Sequence, residues 1–151
     1  MNFRKATLDD LPFIIAMLAD DILGSKREEY RKPLPQSYVD AFNSISTDPN
    51  QELIVIENET SEIIGTLQLT FIRYLNYQGG LRVQIESVRI RSDYRGTGIG
   101  KTFIKWAIER AKNKNARIIQ LTTDKQRPKA IKFYKDLGFN PSHEGMKMHL
   151  K

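Results

Sequence analysis

Apolar positions along the chain follow two rhythms, one helical and one alternating. Leu11, Ile14, Ile15 and Leu18 recur at the spacing of one helix face. Asp9 stands where it can cap that helix, and Pro12 is tolerable because it falls in the first turn. Ahead of it, Phe3–Thr7 reads as a short strand. Residues 20–35 are polar and charged, with Pro33 and Pro35 marking irregular structure, and Ser37–Ile45 predicts a second short helix. Leu53–Glu57 and Ile63–Tyr74 read as strands around the turn-prone Asn58–Ser61. In the longer one Leu67, Leu69 and Phe71 alternate, as a half-buried sheet face requires. Gly79-Gly80 predicts a tight turn back into Leu81–Arg91.

That next strand changes phase. Its apolar residues are Leu81, Val83 and Ile85, then Val88 and Ile90, so the alternation slips at Glu86-Ser87. With a period of two, a slip turns the second half of a strand inside out. One extra residue, a β-bulge, restores the facing. A loosely patterned strand with a tolerated mismatch is the plainer alternative. Downstream, Ile99, Phe103, Ile104, Ala107, Ile108 and Ala111 predict a helix, and Arg117–Thr123 a strand. Pro128 opens a further helix whose face is Ala130, Phe133, Tyr134 and Leu137, and Gly138 stops it. Phe139 to Leu150 reads as extended, with a turn near Glu144-Gly145. Strands and helices mixed in this order predict one α+β or α/β domain over residues 1–151.

Composition narrows the chemistry. At 151 residues with 40% apolar and 28% charged side chains, the chain has the content of a globular domain. It has no cysteine, which excludes disulfides, thiolate zinc sites and cysteine nucleophiles. His143 and His149 are the only histidines, so no metal is expected. No apolar run reaches the ~18 residues of a membrane span. Nor does the start read as a signal peptide, so the expected location is the cytoplasm, with no membrane partner. The net charge of +6 is compatible with nucleic acid, a polyanionic cofactor or a solvated surface. Basic and aromatic residues are not interleaved in one stripe, which argues against nucleic acid.

The strand ending at Arg91 leads into Arg95-Gly96-Thr97-Gly98-Ile99-Gly100-Lys101 and then into a helix. Glycines let a ligand approach the backbone, and the free N–H groups and dipole of a helix start favour an anion. Arg91, Arg95 and Lys101 add full charges nearby. A nucleotide P-loop needs a first glycine where Arg95 stands. In the dinucleotide fingerprint the third glycine would come one residue later than Gly100. Arg95 to Gly100 instead matches [QR]-x-x-G-x-[GA], and Ala130-x-x-Phe133-Tyr134-x-x-Leu137-Gly138-Phe139 follows after one more strand. In both segments and in the order of elements from Phe3 to Leu150, the chain resembles the GNAT superfamily of N-acetyltransferases.

The resemblance implies a central, mostly antiparallel twisted sheet with a bulged, splayed strand pair, flanked by helices. It implies acetyl-CoA as cosubstrate, held by Arg95, Gly96, Thr97, Gly98, Ile99, Gly100 and Lys101 and by the main chain of Val88, Arg89 and Ile90. The Val88 N–H would meet the thioester carbonyl. Tyr134 takes the place of the family's general acid; a phenol with pKa about 10 is matched to an alkyl thiol. A core aromatic beside Phe133 is the alternative role. Glu86, at the bulge, is the candidate base, against the alternative of an ion-paired strand-edge glutamate. Arg127 stands where the family often has Asn against coenzyme A, and a phosphate contact is the substitute role. Gln120–Arg127 and Ser142-His143 resemble aminoalkylphosphonate N-acetyltransferases and their relatives, which implies a small-molecule primary amine as acceptor. His143 reads as a surface residue. The chain is expected to be a monomer or homodimer. The competing reading is an acyl-CoA-binding or nucleic-acid-binding module without catalysis.

Overall fold

A computed structural model describes residues 1–151. Its strands form one five-stranded sheet in chain order: β1 (Asn2–Lys5), β2 (Gln51–Glu57), β3 (Ile63–Arg73), β4 (Leu81–Ile90) and β5 (Ile118–Leu121). Neighbours are antiparallel except β4 and β5, which run parallel. Parallel strands need a long crossover, and here it contains the longest helix, Ile99–Asn113. With α1 (Leu11–Ala19) and α2 (Gln36–Thr47) before it, this helix is α3, and α4 is Pro128–Asp136.

The sheet is covered on both faces. On one, Phe103, Ile104, Ala107 and Ala111 of α3 pack on Ile54, Ile56, Leu67, Leu69, Phe71, Val83 and Ile85. On the other, Ile14 and Met17 of α1 meet Val55 and Ile63, while Leu11 and Ile15 meet Phe42 of α2. A buried side chain such as Phe103 contributes roughly 1.5–3 kcal/mol by leaving water. Beyond Ile63, β3 and β4 turn polar side chains to this second face. Gln120 donates to Gln84 at 2.8 Å, Gln84 donates to Glu86 at 3.0 Å, and Gln68 donates to Gln51 at 2.6 Å.

Several elements depart from the sequence pattern for visible reasons. Asp10, not Asp9, organises the start of α1. Its carboxylate accepts from Thr7 N–H at 2.7 Å and from Arg4 Nη1 and Nη2 at 2.6 and 2.9 Å, which makes its burial tolerable. Asn76–Gly79 is a left-handed turn with Tyr77 at φ 54° and Gln78 at φ 59°, placed just before the expected Gly79-Gly80 turn. The extended region after Phe139 forms no strand. Met146, Met148 and Leu150 alternate as a strand would, yet they are 94%, 83% and 87% exposed.

One ion pair ties the sheet to the crossover helix. Arg110 on α3 donates to both carboxylate oxygens of Glu52 on β2, at 3.0 and 2.5 Å. Burial alone would raise the Glu52 carboxyl, but the Arg110 hydrogen bonds and charge overcome it and hold it below its ordinary value. Arg110→Ala strands a carboxylate that is 5% exposed, and is expected to cost about 2–3 kcal/mol in urea unfolding. Truncating Arg91, whose partners lie at the surface, should cost under about 1 kcal/mol. Because the Glu52 carboxyl is lowered on folding, its contribution is present above the unfolded pKa. That contribution is lost as pH falls below about 4 through the folded value, so acid should narrow the gap between wild type and Arg110→Ala.

Candidate active site

Past its midpoint β4 is bulged against β3 and unpaired on the side of β5. Against β3 the register passes from Gln68↔Glu86 to Thr66↔Arg89, so Ser87 and Val88 together oppose Leu67. Ser87 takes a left-handed φ of 56° to make this bulge. The extra residue restores the facing: Val88 and Ile90 pack on the same core as Val83 and Ile85. By the same alternation Arg89 joins Glu86 and Gln84 on the polar face. Against β5 the ladder ends at Ile85↔Leu121, leaving Glu86–Ile90 without a partner strand on that edge. The main-chain carbonyls there are met by arginines: Arg89 Nη1 donates to Val88 O at 2.8 Å, and Arg95 Nε to Ile90 O at 3.0 Å.

The glycine loop stands at the end of this open stretch. Gly96 and Gly98 have φ of 77° and 88°, and a Cβ on either would meet no atom within 4 Å. Gly98 caps α3, whose first bond runs from Thr102 N to Gly98 O at 3.1 Å. The N–H groups of Ile99, Gly100 and Lys101 therefore have no helical partner. Thr97 donates to Tyr94 O at 2.6 Å and pins the turn. Open space, free N–H groups and a helix dipole suit a pyrophosphate. Of the expected flanking cations, Lys101 is exposed and Arg95 borders the loop. Arg91 pairs with Asp93 at 2.7 Å and lies over the Tyr94 ring.

Two acidic residues that the sequence pattern did not single out reach across from the end of α1. Arg95 Nη2 donates to Asp20 Oδ2 at 2.9 Å. Asp21 Oδ2 lies 2.5 Å from Arg127 Nη2 and 3.8 Å from Arg89 Nη2, bringing β4 and the approach to α4 together. Arg127 is thus paired with a carboxylate rather than standing free for a phosphate. The available signal was two adjacent acids directly after an apolar helix face.

Glu86 begins the open part of β4, and its charge and that of Arg89 are felt by Tyr134. Tyr134 packs edge-on against Phe133 and Phe139, with ring centroids 5.1 and 5.8 Å away. Burial raises its phenol above the ordinary value, against the pull of Arg89 and Arg127, so it stays protonated at neutral pH. Glu86 is exposed and accepts only from Gln84, not from a cation. His143 is exposed and bonded to Ser142.

A bulged strand that outruns its parallel neighbour, with a glycine loop and a helix start at its end, leaves a free strand edge beside an anion-binding turn. Residues 19–139 match the sequence profile of the Acetyltransferase (GNAT) family, and the chain belongs to that family. An aminoalkylphosphonate N-acetyltransferase of Salmonella typhimurium is 26% identical over 143 residues, covering 94% of this chain and 86% of the relative. An L-methionine sulfoximine/L-methionine sulfone acetyltransferase of Pseudomonas aeruginosa is 24% identical, covering 93% and 81%. Among solved structures, a transcriptional regulator from Bacillus halodurans C-125 superposes with a TM-score of 0.95 at 58% identity, covering 99% of both chains.

The backbone of the loop is testable without a ligand. Gly98→Ala meets no steric neighbour but must hold a left-handed φ, so it is expected to lower stability by about 1–2 kcal/mol in urea unfolding.

Proposed function

We propose that this protein transfers the acetyl group of acetyl-CoA to the primary amine of a small molecule, with both substrates bound at once. The observation that carries the reading is the open stretch of β4, bordered by an anion-binding loop at one end and by a protonated tyrosine at the side. The loop residues Arg95–Lys101 hold the pyrophosphate. The pantetheine amides pair with the main chain of Val88, Arg89 and Ile90 in place of the arginine donors now there, as an added strand would. The Val88 N–H, displaced from ladder register by the bulge, polarises the thioester carbonyl. The amine gives its ammonium proton to Glu86 directly or through water. Its nitrogen then forms the C–N bond, and as the adduct collapses the C–S bond breaks, the departing thiolate takes the Tyr134 proton, and the nitrogen gives up its second proton through water to restore the phenol. The two relatives described above are named for small amine-bearing compounds, which supports a small acceptor.

A second reading, DNA binding, is favoured by one observation, the description of the Bacillus halodurans protein as a transcriptional regulator. In this chain α3 and α4 both pack on the sheet, with β5 between them in sequence. Thiol release from acetyl-CoA across a panel of amines, with product masses, tests the enzyme reading. Steeply salt-dependent DNA affinity with no coenzyme A affinity would replace it.

Tyr134→Phe keeps the ring packing and removes the proton donor. Its kcat is expected to fall about 10²–10⁴-fold with a small change in acetyl-CoA affinity. A kcat within about twofold of wild type, when chemistry limits turnover, would make Tyr134 a packing residue. Glu86→Gln should be most defective below the pKa of the amine and partly rescued as pH rises and supplies neutral amine. A defect constant across pH would assign Glu86 to substrate positioning instead.

A further inference from the structure

Resting on the acetyl-transfer reading, we propose that the acceptor amine also carries an anionic oxyacid group, and that Arg89 is the residue that pairs with it. Arg89 is a cation in an unusual place. The bulge at Ser87 sets it on the polar face beside Glu86, where its side chain is only 14% exposed. Its Nε is buried with no hydrogen-bond partner. Nη1 is spent on the carbonyl of Val88, and Nη2 stops 3.8 Å from Asp21, too far for a hydrogen bond.

The one nearby carboxylate is already committed. Asp21 gives its close contact to Arg127 and accepts from the Gly24 N–H with its other oxygen. Two guanidinium groups therefore share one acid, and Arg27 adds a further positive charge in range. Burial, Arg127 and Arg27 together push the Arg89 pKa down, outweighing Asp21. A buried, under-compensated charge costs stability, and an apolar side chain of similar volume would be the more stable choice. A ligand carboxylate or phosphonate would supply what is missing: a full counter-charge and an acceptor for Nη2, which Asp21 leaves unmet. The place is right for an acceptor, because Arg89 lies within electrostatic range of Tyr134 and shares the face of Glu86.

The test uses three amines of one length: β-alanine, aminoethylphosphonate and β-alaninamide. Their acetylation is followed by kcat/KM, and their binding to the coenzyme A-saturated protein by calorimetry. Wild type is expected to prefer at least one acid over the amide by roughly 30-fold or more. The two acids distinguish a carboxylate from a phosphonate site. Arg89→Met should collapse that ratio towards one while the urea midpoint stays level or rises, because removing a poorly paired buried charge relieves the fold. Arg89→Lys should retain part of the ratio. A structural arginine would behave otherwise, with a lowered midpoint and equal losses for acid and amide. Equal use of amide and acids by wild type overturns the anion anchor and leaves acetyl transfer standing. Saturable, Arg89-dependent acid binding without acetylation of any amine keeps the anchor and overturns the reaction. Absence of both binding and turnover for the acids overturns the anchor.

Discussion

The bulge at Ser87 is the constraint on which the site depends. A strand alternates its side chains strictly, so a residue inserted in β4 decides which of its later residues enter the core. Without it, Val88 and Ile90 would point at the polar face and Arg89 into the cluster around Phe103. With it, one strand presents Ile85, Val88 and Ile90 to the core and Gln84, Glu86 and Arg89 to the opposite face. The left-handed φ at Ser87 is the local cost, of order 1–3 kcal/mol for a non-glycine residue. Packing of Val88 and Ile90 offsets it, so the strained residue is held by the core it helps to complete.

The parallel pairing of β4 with β5 is the second determinant. The α3 crossover forces the helix start to lie beside the end of β4, and the short β5 leaves β4 unpartnered where the helix dipole points. The free strand edge and the glycine loop thus come from one connection. The loop after α1 closes the arrangement from the other side through Asp20 and Asp21.

What was legible in the sequence follows the range of the interactions. The phase slip at Glu86-Ser87 exposed the bulge because alternation is a local property, and Gly96 and Gly98 showed the turn because left-handed backbone favours glycine. The Asp21–Arg127 pair was not legible, since it joins segments brought together only by the finished sheet. The pairing of Arg91 with Asp93, two residues on, was within reach of the sequence but was not drawn from it. The alternation of Met146, Met148 and Leu150 has the signature of a strand, but a strand exists only beside another, and no strand of the sheet pairs with it.

Phe3 stacks on both Phe103 and Trp106, each at 5.6 Å between ring centroids. Trp106 is the sole tryptophan of the chain, and it stands where the first strand of the sheet meets the crossover helix. The tryptophan emission of this protein is therefore a single-point optical gauge of one junction, the docking of the N-terminal strand onto the helix that begins at the glycine loop. An unfolding curve read by fluorescence reports that seam, while circular dichroism reports the helices as a whole, so comparison of the two signals separates loss of the seam from loss of the helices.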